Sequence, residues 1–171
     1  MNAQLQHGGI LIDEIKLSEN FIKVDHNGKV AGFVDLGDFT SSEMSSVPAD
    51  HGFVLFQPFK GKWRQVVGVF ESRGNVKTAM LAWIIVEAVI LAESASLLMD
   101  FVTTDAASWN RIMWHIFEIS GTAKKVVCKT VHPTDPARHL HFASDFPHLT
   151  KNVRNNALQH LFKTPEGEVL A

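Results

Sequence analysis

Two aspartates, Asp13 and Asp105, occupy positions suited to holding a cation or moving a proton. Asp13 lies within Gly9-Ile-Leu-Ile-Asp-Glu-Ile-Lys-Leu17, a strand candidate. A period-two pattern puts Leu11, Asp13, Ile15 and Leu17 on one face, with Asp13 its single charge. A buried, unpaired carboxylate is costly, so there it calls for a cation, strong donors or a proton. The alternative is an aspartate at a strand end facing solvent. Asp105 closes a second strand candidate, in which Leu97, Leu98, Phe101 and Val102 supply the bulk. After it, Trp109, Ile112, Met113, Ile116 and Phe117 recur at the spacing of one helix face. Asp105 thus ends a strand and precedes a helix, at the edge of an open α/β sheet where ligands bind. An aspartate before a helix is also an ordinary N-cap; the second carboxylate, placed in a similar way, argues for more.

Further along, Ser144-Asp-Phe-Pro147 opens a final helix over about His148 to Phe162. Asp145 is placed as its N-cap, with Pro147 in the first turn. Leu149, Val153, Ala157, Leu161 and Phe162 can make the buried side of that helix, while His148, Lys151, Arg154 and Asn155 lie on or near a common exposed face. Charge is divided unevenly along the chain. Residues 1–105 carry eight Lys and Arg against thirteen Asp and Glu, and residues 106–171 carry eight against five plus six of the nine histidines. An acidic half beside a basic half suits a cation site next to a surface that meets phosphate.

The remaining chain sets the scaffold. With 171 residues and 46% hydrophobic composition it is a domain of ordinary size with material for a real core. One cysteine excludes an internal disulfide framework and a Cys-rich zinc module. Met1 to Gly9 has no secretory h-region, and Ala79 to Ala92, interrupted by Glu87, is too short to span a bilayer comfortably. That run reads as a helix buried on most sides, about Lys77 to Ala95. Asn27-Gly28 marks a hairpin turn, 37–50 a polar loop, and Lys60-Gly-Lys62 a second hairpin between 52–59 and 63–71. Gly121 is the expected C-cap of the helix after Asp105, followed by short strands at 126–131 and 140–143. The order is strands, helix, strand with Asp105, helix, strand, helix: a mixed α/β sheet with flanking helices.

Leu11-Ile-Asp-Glu-Ile-Lys-Leu17, Val30-Ala-Gly-Phe-Val-Asp-Leu-Gly37, Asp105-Ala-Ala-Ser-Trp-Asn-Arg111 and Ser144-Asp-Phe-Pro-His-Leu-Thr-Lys-Asn-Val-Arg-Asn155 carry a family resemblance. In this order the four blocks resemble the catalytic region of P-element-type transposases, the group that includes THAP-domain-containing transposases and their domesticated relatives. The resemblance implies a ribonuclease H-like fold over residues 9–162, the N-terminal portion of the domain, with 1–8 and 163–171 as flexible ends. It implies Asp13 and Asp105 as catalytic acids binding Mg²⁺ or Mn²⁺, with Asp145 a further candidate ligand. It implies His148, Lys151 and Arg154 as contacts to DNA phosphates at transposon ends or target, a nuclear location, and a second copy or a full-length transposase as partner. In the family the third acid lies beyond an inserted GTP-binding domain. Glu166 and Glu168 are poor substitutes, and with no Walker-type loop in the chain GTP binding is not expected. The competing expectation is a catalytically inactive, domesticated DNA-binding or transposase-interacting regulator. The spacing of Cys128, His132, His139 and His141 fits no common zinc motif, and surface histidines with Cys128 as a small buried hydrophobe explain it more simply. No G-x-S-x-G elbow suggests a hydrolase.

Overall fold

In the computed structural model the described residues are 6–13, 15–16, 23–24, 26, 30–49, 51–53, 55–59, 65–74, 77–105, 108–122, 124–159, 162–164 and 167–169. The elements run β1 (His7–Ile12), β2 (Ile15–Lys16), β3 (Lys23–Val24), β4 (Val30–Ala31), β5 (His51–Phe53), β6 (Leu55–Pro58), β7 (Phe70–Ser72) and α1 (Thr78–Ser94). There follow β8 (Leu98–Thr104), α2 (Ser108–Ile116), β9 (Ser120–Gly121), β10 (Val126–Val127), β11 (Lys129–Val131), β12 (His139–Ser144), α3 (Phe146–Gln159), β13 (Phe162–Thr164) and β14 (Gly167–Val169).

The main sheet has the order β11-β12-β8-β1-β6. Its centre is parallel, β8 lying between β1 and β12, and both outer strands run antiparallel to their neighbours. A three-stranded sheet, β2-β5-β7, and three short two-stranded pairs complete the β structure. Parallel strands need crossovers, and α1 and α2 supply them. Ile10 and Ile12 of β1, Met99 and Val102 of β8, and Leu140 and Phe142 of β12 point into one core. Above them lie Leu81, Ile84, Ile85, Ala88 and Val89 of α1 and Met113 of α2, with Val34 and Leu36 closing the side.

Several local expectations change. β1 ends at Ile12, so the core face is Ile10 and Ile12, and the face of Leu11 and Asp13 is the other one. Ile15 has already left for the β2-β5-β7 sheet, and Leu17 is outside the described residues. Residues 52–59 are divided: β5 pairs β7 around the expected turn, whereas β6 pairs β1. On α2 the buried stripe is Asn110, Met113, Trp114 and Phe117. Ile112 and Ile116 are exposed, and the side chain of Trp109 is outside the described residues. Trp114, which is not among the apolar residues of the expected stripe, meets Phe142 edge-on at 6.4 Å. The cap of α2 is Glu118 in the left-handed region (φ 60°), not Gly121. The Ile119 N–H returns to Trp114 O, a Schellman closure. α1 ends the same way through Ser96 (φ 64°), with Leu97 N–H donating to Ala92 O.

α1 is buried along one side only, for Trp83, Ile90 and Leu91 are exposed. α3 buries no residue, so Leu149 and Val153, expected to face the core, stand exposed; Phe162 belongs to β13 and Leu161 is outside the described residues. β13 and β14 pair as a hairpin where a frayed end was expected, and β1 starts at His7, two residues early. Among the described residues no helix is long and apolar enough to cross a membrane.

The end of the sheet opposite Asp105 is tied by ions. Arg138 donates through one nitrogen to both carboxylate oxygens of Glu93 (2.9 and 3.0 Å) and through the other to Met99 O and Asp100. Partial burial opposes its charge, but the hydrogen bonds and fields of Glu93 and then Asp100 outweigh that and raise the Arg138 pKa. His132 is buried, not a surface histidine. The Thr134 N–H donates to Nδ1, so Nε2 carries the proton toward Met99 O at 2.9 Å. Cys128 is exposed rather than buried. These ties hold the last turn of α1, β8 and the β11–β12 connection together, and with them the register that decides the site.

Candidate functional site

Register brings the three aspartates to one edge. Ile12 on β1 pairs with Thr104 on β8, and Thr104 pairs with Ser144 on β12. The three parallel strands therefore finish in one row, and the next residue of each is an aspartate: Asp13, Asp105 and Asp145. The Asp145 N–H continues the ladder by donating to Thr104 O at 2.8 Å. This is the carboxyl edge of the parallel strands, where open α/β sheets bind ligands. A cleft of about 90 Å³ opens there, lined by Leu11, Ile12, Asp13, Thr103, Asp105, Asp145 and His148.

Each carboxylate has a distinct environment. Asp13 is exposed, so the buried lone charge expected on the Leu11 face is instead a solvated one at the cleft mouth. Asp105 is half-buried, and its Oδ1 accepts the side-chain N–H of Asn110 at 2.5 Å. Asp145 precedes α3 and its backbone carbonyl accepts the Leu149 N–H, so it does serve the helix start. Its Oδ2 bonds His148 Nδ1. Lys151 and Arg154 follow His148 on α3, both exposed and outside the cleft lining, with Arg154 donating to Asn155.

The hydrogen bond to Asp145 raises the pKa of His148 above the usual imidazole range. Partial burial works against this, and the fields of Asp145, Asp13 and Asp105 add to the rise. The side chain is 44% exposed, so water screens the pair and its share of stability is small. That share is complete below the unfolded-state pKa of about 6.5 and is lost as pH rises through the higher folded-state value. An NMR titration of metal-free protein is expected to show His148 titrating above an ordinary histidine, and Asp145→Asn returning it toward normal. A histidine that ignores the Asp145 substitution would contradict the pairing.

Hard carboxylate oxygens at an open cleft suit Mg²⁺, which keeps waters and binds through one or two carboxylates plus phosphate oxygens. Asp13 and Asp105 fit that demand. Among the described residues no three His, Cys, Asp or Glu side chains form a group able to hold a metal ion, and Asp145 is already engaged by His148. Glu168 belongs to the separate β13-β14 hairpin and Glu166 is outside the described residues. Asn110 is not among the candidates that apolar spacing picks out, although Asn110, Met113, Trp114 and Phe117 also follow helical spacing and a polar residue at the head of that stripe is its signal.

A mixed sheet with an acidic carboxyl edge and crossover helices is an arrangement that ribonuclease H-like domains share. A family model described as the TNP-like, RNase H N-terminal domain matches residues 1–118, and the chain belongs to that family. The matched segment includes Asp13 and Asp105 and stops short of Asp145 and His148. The fold is similar to that of the Drosophila P element transposase, solved as a strand transfer complex. The TM-score is 0.70 at 19% identity, over 99% of this chain and 33% of that one. The chain thus spans about a third of the length of the transposase it matches. No curated protein sequence matches it.

Proposed function

We propose that the carboxyl edge of the sheet is a divalent-metal site for DNA phosphodiester cleavage and strand transfer, with Asp13 and Asp105 as catalytic ligands. The observation that carries the reading is the shared row of Ile12, Thr104 and Ser144, which sends the next residue of each strand to one place. Mg²⁺ or Mn²⁺ bound there would activate the attacking oxygen and stabilise the leaving one. Asp13 and Asp105 present hard oxygens from two adjacent parallel strands, a spacing fixed by backbone hydrogen bonds rather than by loops. Asp145 holds His148 through Nδ1, and Nε2 of that ring would donate to a phosphate oxygen in the cleft that His148 lines. Lys151 and Arg154 extend the cationic face along α3 toward the DNA backbone, without reading sequence.

A non-catalytic reading keeps the fold and the DNA contacts but not the chemistry: a regulator that binds DNA or a transposase subunit. It is favoured by the engagement of Asp145 with His148, which leaves two carboxylates rather than three for metal. Both readings imply a nuclear protein working with DNA, and a second copy or a full-length transposase as partner.

DNA binding measured by fluorescence anisotropy separates them. In the metal-dependent reading Ca²⁺, a hard ion used without turnover, tightens binding to a duplex over EDTA, and Asp13→Asn or Asp105→Asn removes that increment. Lys151→Ala and Arg154→Ala are each expected to shallow the salt dependence by about 0.9 in the log–log slope. DNA binding that is salt-sensitive and indifferent to metal supports the regulator instead.

A further inference from the structure

Asn110 is a buried polar side chain beside the site that the acid reading leaves without a task. It lies in the first turn of α2 at 4% exposure, on the same stripe as the buried Met113 and the packed Trp114. Its N–H donates to Asp105 Oδ1 at 2.5 Å. Its own side-chain carbonyl oxygen is buried and has no hydrogen-bond partner among the described residues.

For folding alone this is a poor choice. An orphaned buried acceptor carries its full desolvation cost, whereas an apolar residue of similar shape carries none. Leucine branches at the same carbon as asparagine and would match the apolar stripe. What asparagine supplies is a donor aimed at a half-buried carboxylate. The terminal torsion of an aspartate is broad and roughly two-fold, so a carboxylate at the mouth of an open cleft needs an outside hold to keep one orientation.

We propose that Asn110 is a positioning residue for Asp105, fixing the plane of its carboxylate for a divalent cation at the expense of stability. This rests on the metal-site reading above. Partners that hydrogen-bond a metal-binding carboxylate set its orientation, and their loss typically costs 10–100-fold in affinity.

The test is Mn²⁺ calorimetry beside thermal unfolding of the metal-free protein, on wild type, Asn110→Leu, Asn110→Ala and Asp105→Asn. Asn110→Leu is expected to bind Mn²⁺ roughly 10–100-fold more weakly while melting at the wild-type temperature or above it. A purely structural asparagine gives the reverse, a lower melting temperature with unchanged affinity, and overturns the proposal. Asn110→Ala serves if the leucine does not fold, with the same affinity loss expected, and unchanged affinity in it overturns the proposal equally. Wild-type binding that Asp105→Asn abolishes and Asn110→Leu leaves intact removes the positioning role alone. Wild-type binding that Asp105→Asn leaves intact, or no binding at all, removes the metal reading and this inference with it.

Discussion

Replacing Asp105 or Asp13 by asparagine is expected to weaken Mn²⁺ binding by on the order of 100-fold or more, about 3 kcal/mol, and to leave the fold in place. The size follows from how few protein charges the site commits. A cation held by two carboxylates, with water and phosphate completing its shell, loses half its protein charge when one becomes an amide. The shape is kept, so packing is untouched. Stability should respond differently at the two positions. Asp13 is exposed at an edge it shares with Asp105 and Asp145, so removing its charge relieves like-charge crowding and the melting temperature holds or rises. Asp105→Asn trades a charge-assisted bond from Asn110 for a neutral one, a loss of about 1 kcal/mol. Calorimetric titration with a circular-dichroism melt on each variant reads both effects. Equal affinity in wild type and either variant would place the ion elsewhere.

Gly9→Ala is the substitution with the largest expected cost to the fold. A Cβ built on Gly9 lies 2.3 Å from the backbone oxygen of Phe101 and 2.5 Å from two carbons of its ring. Gly9 pairs with Phe101 across the parallel β1-β8 ladder, beside a register shift at Gly8/Gly9. Backbone cannot step aside as a side chain can, so the strands must separate. Overpacking costs about 1–3 kcal/mol, and a backbone clash belongs at the top of that range or above. At roughly 2–4 °C per kcal/mol for a domain of this size, the melting temperature should fall by about 6–12 °C. β1 leads directly into Asp13 and β8 into Asp105, so the same substitution should also weaken Mn²⁺ binding. Gly121→Ala is the control, because a Cβ there meets nothing within 4 Å; a change within about 0.5 kcal/mol is expected. A mild Gly9→Ala would mean the two strands slide more easily than their register implies.

Much of this arrangement is legible in the sequence: an apolar run stops at Asp105, Asp13 falls inside a longer strand candidate, and the four blocks carry the resemblance to the family. Pairing was not legible: short strands such as Leu55–Pro58 and His51–Phe53 look alike in composition and join different sheets. The face of β1 was misassigned because period two extends through Asp13 to Leu17, whereas the strand stops at Ile12. The α2 stripe was shifted by one residue because Trp109, Ile112 and Ile116 are more apolar than Asn110, and apolarity rather than burial was what the spacing recorded. His148 was expected to contact DNA, but its bond to Asp145 and its place in the cleft depend on α3 starting at Phe146, two residues before the sequence put it.

A divalent ion is expected to bind between Asp13 and Asp105 at the carboxyl edge of the parallel strands. Paramagnetic broadening by substoichiometric Mn²⁺, read on the amide resonances of the labelled protein, locates the ion directly. Broadening should centre on Asp13, Asp105 and the Asp145–His148 turn and disappear in Asp105→Asn. Broadening that centres on the opposite edge, near His7 and Asp100, or that survives Asp105→Asn, would contradict the account.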